Sequence, residues 1–250
     1  MIANFFNKSK PVNMIYILAM LFVYFLIHCF IIYTNESITS FFLKNSGLLL
    51  INIWILFLIN FIISKNKLIH NNYFPLLIVV LLSGALPETM FKSNLILSNL
   101  FLLLAFRKIF SLKSQTNTKA KIFDGGFWIG IATLFYSWSI LFIFLIYVSI
   151  IIYKKVSFKN VCIPIIGFIT PIFIYFTYLF YFDDLTVFYN QFNFNYSFQF
   201  EPYRSLKTLI PLLFSALILI WAIINVTPKY LLINNTSVYF WHRICRIPIK

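Results

Sequence analysis

The stretch between Asp124 and Lys154 restricts the fold most, because it carries no charge and fits a bilayer poorly. As one helix it would be about 42 Å long. The hydrocarbon core of a bilayer is only about 30 Å thick, and two ordinary crossings need about 40 residues. The chain therefore either crosses here once with excess length, or enters the membrane, turns and returns.

Uncharged apolar runs recur along the whole sequence and indicate a polytopic, all-α membrane protein. Hydrophobic residues make up 61% of the 250 residues, and charged residues make up 10%. The net charge of +14 would favour nucleic acid in a soluble protein, but these charges lie in short loops between apolar runs, as topology signals do. Three scattered cysteines predict neither a disulfide framework nor a zinc site. We expect the lipid bilayer as partner and no nucleic acid.

The runs predict a single integral membrane domain over residues 1–250. It is a bundle of about eight membrane helices, including a pair of short helices at about 125–153 that is joined near residues 136–139. The expected membrane helices are residues 14–33, 47–64, 73–88, 95–110, 125–135, 139–153, 161–182 and 207–226.

Lysine and arginine positions favour the in-and-out interpretation of residues 125–153. With a cytoplasmic N-terminus, this interpretation places 16 of the 20 Lys and Arg residues inside and four outside. A single crossing would export Lys154, Lys155 and Lys159, against the positive-inside bias. We therefore expect a bacterial inner-membrane protein with both termini in the cytoplasm. The short helices need cover for their backbone ends, which predicts a cavity toward the outer face. Asp124 is expected to cap the first of them.

Four residues are candidates for chemistry near the outer face: Glu36, His28, Asp183 and Asp184. Carboxylates at the mouth of a cavity can act as a general base or hold a divalent cation to a phosphate. The alternative for the acidic residues is simple solvation in loops. His28 lies inside a predicted span, where ionisable residues are functional candidates, although a hydrogen bond to a neighbouring helix is an equally good interpretation.

The outer loops also contain candidate substrate-binding residues. Glu88 lies at the tip of the short hairpin LPETMFKSN. In NQFNFNYSFQFEPYR, aromatic and polar residues alternate with period two, which indicates an extended segment with one aromatic face. Tyr196 and Phe198 on that face could bind a sugar or polyprenyl chain, with Arg204 on a phosphate. A plain interfacial anchor is the favoured alternative.

The segments FDGGFWIGIATLFYSWSILFIFLIYVSIIIYKK and IPIIGFITPIFIYFTYLFYF carry a resemblance. They resemble an uncharacterised family of multi-pass inner-membrane proteins from Bacteroidota. More remotely, the order of elements is similar to the core of polyprenyl-phosphate-dependent glycosyltransferases of the GT-C class. That resemblance implies an acidic residue in the first external loop as catalytic base or metal contact, and Glu36 matches by position. The chain departs from the class in having a single acid in that loop and Ser137, Trp138 and Ser139 at the turn.

Two functions stay open at this level. One is a GT-C-like protein that handles a polyprenyl-phosphate-linked sugar or related lipid at the periplasmic face. If it is an enzyme, it would be a lipid-phosphate-sugar-dependent glycosyltransferase. The other is a non-catalytic membrane subunit or scaffold of an envelope assembly, with other membrane subunits as partners. No Walker loop, dinucleotide fingerprint or HExxH motif is present in the sequence.

Overall fold

Every secondary-structure element among the described residues is helical, as the apolar runs predict. A computed structural model describes residues 11–32, 38–68, 72–86, 88–114, 116–192 and 206–225. Two 3₁₀ turns, Ser111–Lys113 and Ser137–Phe142, flank α6. The α-helices are α1 Pro11–Ile32, α2 Ile38–Asn66, α3 Phe74–Ala85, α4 Glu88–Phe91, α5 Ser93–Phe110, α6 Thr118–Phe135, α7 Ile143–Ile152, α8 Phe158–Tyr181, α9 Leu185–Gln191 and α10 Leu206–Asn225.

Four of these helices contain segments that are long and apolar enough to cross a membrane. They are Pro11–Phe30, Asn45–Asn66, Ser93–Lys113 and Phe158–Tyr181. Shorter apolar helical segments are Phe74–Ala85, Ser137–Ile152 and Leu209–Ile218. The chain is therefore an all-α membrane protein, and the count of eight membrane helices stays a prediction.

The chain divides into two compact units, Met1–Ser197 and Phe198–Lys250. The first unit contains α1–α9. The second contains α10, an apolar helix with Pro211 inside it and largely exposed side chains such as Phe214 and Leu217. The single membrane domain expected from the sequence remains a prediction.

Helices α1–α4 share one core, which is built on α1. Phe25 of α1 is fully buried and stacks on Phe91 of α4, with ring centroids 5.2 Å apart. Gly84, near the end of α3, lies so close to the Tyr24 ring of α1 that a Cβ there would come within 2.7 Å of it. These contacts place α4 and the C-terminal ends of α1 and α3 at the same end of the bundle.

Helix α2 connects this core to the rest of the first unit. Ile55 of α2 lies in one buried cluster with Leu100 of α5. Further along both helices, the Arg107 guanidinium lies 5.1 Å from the centroid of the Phe61 ring. Helices α2 and α5 therefore run parallel, and their C-terminal ends meet.

Helices α5 and α6 run antiparallel. Near the start of α5, the Ser98 hydroxyl donates to the carbonyl of Ala132 of α6 at 3.1 Å. Near the end of α5, the Lys108 ammonium lies 2.6 Å from the Asp124 carboxylate. The start of α6 therefore lies beside the end of α5.

Helices α6 and α8 are parallel and approach backbone to backbone through glycines. A Cβ on Gly126 would overlap the carbonyl oxygen of Pro164, and one on Gly130 would lie 2.5 Å from that of Phe168. Gly167 of α8 meets the α6 backbone in the same way. Small residues permit such close helix packing in membranes. Away from α6, α8 exposes the apolar residues Ile165, Ile166, Ile169, Phe173 and Ile174, as a lipid-facing surface would.

The chain reverses direction after α6, where the sequence predicts a turn. Tyr136 is extended, with φ −146° and ψ 107°. The chain then returns along α6, so that Ile146 of α7 lies beside Gly125, with its Cδ1 atom 3.5 Å from an ideal Cβ position there. Residues 118–152 therefore form a helical hairpin rather than one long helix.

Serines cover the backbone at this reversal. The hydroxyls of Ser98 and Ser139 lie 2.7 Å apart, and both side chains are buried. Ser98 also donates to the Ala132 carbonyl near the end of α6, which accepts the Tyr136 N–H as well. On the other side, the Ser137 hydroxyl donates to the carbonyl of Gln191 in α9 at 2.7 Å. Contacts with protein thus protect the irregular backbone. The cavity expected toward the outer face stays a prediction.

The expected start of the first short helix and the role of Asp124 are wrong. Helix α6 begins at Thr118 instead of about residue 125, and its N-cap is Asn117, which adopts a left-handed conformation with φ 50°. Asp124 therefore lies in the second turn of α6, where it pairs with Lys108 at 2.6 Å. The uncharged run marks where apolar surface begins, whereas the helix extends beyond it into polar sequence.

Charge is segregated between the two ends of the first unit. One end, the basic face, is where α2, α5 and α7 end and α6 and α8 begin. At the opposite end, the acidic face, lie the backbone positions of Glu88, Asp183 and Asp184, together with those of Lys44 and Lys92. The basic face contains Lys65, Lys67, Arg107, Lys108, Lys113, Lys119, Lys121, Lys154, Lys155 and Lys159.

Candidate functional site

Several residues singled out by the sequence lie outside the described part of the chain. These are Glu36 and the aromatic loop residues Tyr196, Phe198 and Arg204. Glu88 is the first residue of α4, and its backbone lies at the acidic face. For these residues the predicted roles in catalysis and substrate binding stay predictions.

His28 lies in the last turns of α1 and is only 3% exposed. A hydrogen bond joins its ring to the backbone of Gly84 in α3, and the Tyr24 ring stacks on it with centroids 6.5 Å apart. Its Nδ1 atom is buried without a hydrogen-bond partner. The hydrogen bond of His28 therefore connects α1 to α3, and Nδ1 is the ring nitrogen that takes no part in it.

Asp183 and Asp184 follow α8 directly, and both are exposed. Asp183 adopts the left-handed conformation with φ 57°. Its N–H donates to the Phe180 carbonyl at 3.3 Å, and the Asp184 N–H donates to the Leu179 carbonyl at 3.0 Å. This pair of bonds is a Schellman motif, which satisfies the last carbonyls of a helix. The backbone of Asp183 thus ends α8, and its carboxylate faces solvent.

The structure brings His28, Glu88, Asp183 and Asp184 to the same face but not into one described cluster. His28 is a residue of α1 and Glu88 is the first residue of α4, whereas the two aspartates follow α8, which packs on α6. Across the described ranges, no group of three His, Cys, Asp or Glu side chains could hold a metal ion. A divalent cation at the outer face was one of two roles that the sequence offered for these carboxylates, and it stays untested.

A recess at the basic face was missed by the sequence analysis. Its volume is about 360 Å³, and it opens between α5 and α6. The Lys108–Asp124 ion pair, at 2.6 Å, lies at its polar side together with Arg107. The apolar side consists of Leu104, Phe123, Phe127 and Trp128. The sequence does contain one signal for this recess. If α5 and α6 are taken as antiparallel neighbours, Arg107 and Lys108 at the end of α5 lie beside Asp124 near the start of α6.

A second cavity at the basic face has a volume of about 540 Å³. It is lined by the first turn of α6, including Lys119, and by Lys155 and Asn160 near the start of α8. The Asn160 amide donates to the Lys155 carbonyl at 2.6 Å, which ties the loop before α8 in place. Unlike the α5–α6 recess, this cavity has no aromatic ring among its described lining residues.

The family of the chain follows from a match over nearly all of its length. The model of a family of unknown function (DUF6427) matches residues 9–237. The chain belongs to this family. The match spans all of the described helices, so both faces and the α6–α7 hairpin belong to the DUF6427 region. No curated protein and no solved structure matches the chain.

Proposed function

We propose that the chain is an inner-membrane protein whose basic face lies in the cytoplasm and whose acidic face lies in the periplasm. Charge segregation in the first unit supports this orientation: ten Lys and Arg residues of the described part belong to one face, and Lys44 and Lys92 belong to the other. Cytoplasmic loops carry the excess of Lys and Arg in membrane proteins. With one further crossing at residues 207–226, both termini are cytoplasmic.

The α6–α7 hairpin is the element on which this orientation depends. Because the chain turns at Tyr136, the residues Lys154, Lys155 and Lys159 return to the end where α5 finishes. A reporter enzyme fused after residue 157 should therefore be inactive if it requires the periplasm and active if it requires the cytoplasm. A periplasmic signal from this fusion would reverse the side of every later element.

We further propose that the acidic face handles a polyprenyl-phosphate-linked sugar or a related lipid. Three of the four carboxylates in the described helices and turns, Glu88, Asp183 and Asp184, belong to that face. Glu36 follows α1 in the sequence, and α1 ends at that face. Carboxylates there could act as general base toward an acceptor hydroxyl. Glu36 is proposed as the general base, with Asp183 or Asp184 assisting it, and Glu88 is proposed as a substrate-binding carboxylate.

Glutamine substitutions test the catalytic proposal. Glu36→Gln and Glu88→Gln keep side-chain size and remove the charge. A single general base contributes about 10²–10⁴-fold to a rate. At equal membrane expression, at least one variant should lose lipid-linked sugar transfer by about 100-fold or more in membranes from a deletion strain. Full activity in both variants and in the double variant would exclude this chemistry.

A non-catalytic subunit of an envelope assembly is the second candidate. The observation in its favour is that two candidate catalytic residues have structural roles: His28 connects α1 to α3, and the backbone of Asp183 ends α8. Crosslinking in intact membranes followed by purification in mild detergent should then recover a defined partner in a fixed ratio. Recovery of the chain as a lone monomer would contradict this function.

A further inference from the structure

The recess between α5 and α6 combines an apolar wall with a charged rim. Leu104, Phe127 and Trp128 line it on the side of the membrane interior, and Arg107 lies at the basic end. Its volume of about 360 Å³ falls within the range of about 300–1,000 Å³ that is typical of small-molecule sites. Such a lining suits an amphipathic molecule better than a purely polar one.

The charges of the rim sum to a single positive charge. Lys108 and Asp124 form an ion pair at 2.6 Å and compensate each other. Arg107 is left as the net cation, with its guanidinium 5.1 Å from the centroid of the Phe61 ring. A cation–π contact uses none of the N–H donors of the guanidinium, which can bind an anion in a forked geometry. One monoanionic group would neutralise this rim.

The position of the recess along the helices favours a lipid over a soluble anion as its ligand. Arg107 lies near the end of α5, within a segment that is long and apolar enough to cross the membrane. Long cationic side chains at such ends reach the headgroup level, and aromatic rings such as Trp128 are favoured there. An anionic headgroup and an acyl chain would thus meet the two sides of the recess at once.

We propose that the α5–α6 recess binds the phosphodiester headgroup of an anionic phospholipid. Arg107 donates to the phosphate, and Leu104, Phe127 and Trp128 contact the upper part of the acyl chain. This site is separate from the chemistry proposed at the acidic face. It rests on the proposed orientation only in assigning the lipid to the cytoplasmic leaflet.

Native mass spectrometry of the full chain in detergent tests the site. The protein is incubated with dioleoylphosphatidylglycerol or dioleoylphosphatidylcholine, and retained lipid is counted. Arg107→Gln should lower retention of the glycerol lipid by about tenfold or more, the loss expected for one charge-assisted hydrogen bond. Arg107→Lys should retain more than Arg107→Gln. Lys65→Gln is the matched control, because Lys65 also lies over Phe61, at 5.3 Å, but does not line the recess.

Asp124→Asn provides a test with the opposite sign. It removes the carboxylate that compensates Lys108, so the rim gains one positive charge, and retention of the anionic lipid should rise by about threefold or more. A general loss of folding would not produce tighter binding. Thermal melting without added lipid checks that Arg107→Gln and Lys65→Gln are equally folded.

Three results would overturn the proposal. Equal losses in Arg107→Gln and Lys65→Gln would assign the lipid to the basic face in general. Equal retention of the phosphatidylcholine and phosphatidylglycerol lipids would show that the net charge of the headgroup plays no role in binding. Displacement of the lipid by millimolar glycerol 3-phosphate would identify a site for a soluble phosphate. None of these results depends on the residue-157 reporter or on Glu36 and Glu88, so failure here and failure of the proposed function are distinguishable.

Discussion

Adding one methyl group at Gly126 should destabilise the protein, whereas adding it at Gly125 should not. Both glycines lie in α6, one residue apart, and both are buried. In a helix interior, Gly→Ala alone contributes about 1 kcal/mol in favour of folding. Any difference between the two variants therefore reports what the new Cβ meets.

The surroundings of the two positions differ sharply. At Gly125 the nearest atom is Ile146 Cδ1 at 3.5 Å, which is an ordinary van der Waals contact. At Gly126 the Cβ overlaps the Pro164 carbonyl oxygen and also comes within 3.2 Å of the Phe168 nitrogen. These are backbone atoms of α8, so the clash can be relieved only by moving one helix away from the other. Overpacking of this kind costs about 1–3 kcal/mol or more.

The propensity gain is common to both variants and cancels, so the difference between Gly125→Ala and Gly126→Ala is the overpacking cost of about 1–3 kcal/mol or more. Reversible unfolding in mixed detergent micelles, followed by tryptophan fluorescence, measures it. Gly125→Ala should match or exceed the parent protein, and Gly130→Ala should behave like Gly126→Ala. If Gly125→Ala and Gly126→Ala agree within about 0.5 kcal/mol, the backbone contact between α6 and α8 is refuted as the cause of this packing.

Three further changes test other contacts. Asp183→Gly should be more stable than Asp183→Ala by about 1 kcal/mol in the same unfolding assay, because the left-handed position favours glycine; the reverse order would contradict the helix end described here. A double-mutant cycle of Ser98→Ala and Ser139→Ala should give a coupling of about 0.5–1.5 kcal/mol, and additive effects would mean that the hydroxyl contact contributes nothing. Gly84→Ala should destabilise by about 1–3 kcal/mol through the Tyr24 ring, and a melting temperature at or above that of the parent would show that the ring moves aside freely.

The sequence predicts the helices well because each uncharged run has to be buried in lipid or protein. The expected crossing at residues 161–182 compares with α8 Phe158–Tyr181, and that at 95–110 with α5 Ser93–Phe110. The turn near residue 136 was also predicted. The uncharged run is too long for one crossing, and a turn returns the lysines that follow it to the cytoplasmic side. These inferences depend only on length, hydropathy and charge.

The first residues of helices, and the residues that meet in the folded protein, could be predicted less well from the sequence. Helix α6 begins at Thr118 because polar residues at the interface can be helical without being apolar, and this moved Asp124 from a cap to an ion pair with Lys108. The contact between Ser98 and Ser139 joins positions far apart in the chain, and a single sequence contains no signal for it. The recess near Arg107 depends on the same antiparallel pairing of α5 and α6, so it became visible only in three dimensions.

The parallel contact between α6 and α8 also sets an order of assembly. The glycine surface of α6 has no partner until Pro164 and Gly167 have left the ribosome, after the whole hairpin has been synthesised. During that interval α6 packs on α5, through Ser98 and the Lys108–Asp124 pair. A nascent chain arrested before Pro164 should therefore contain the whole hairpin with its glycine surface unpacked and sensitive to proteases of the membrane, until release of α8 covers that surface.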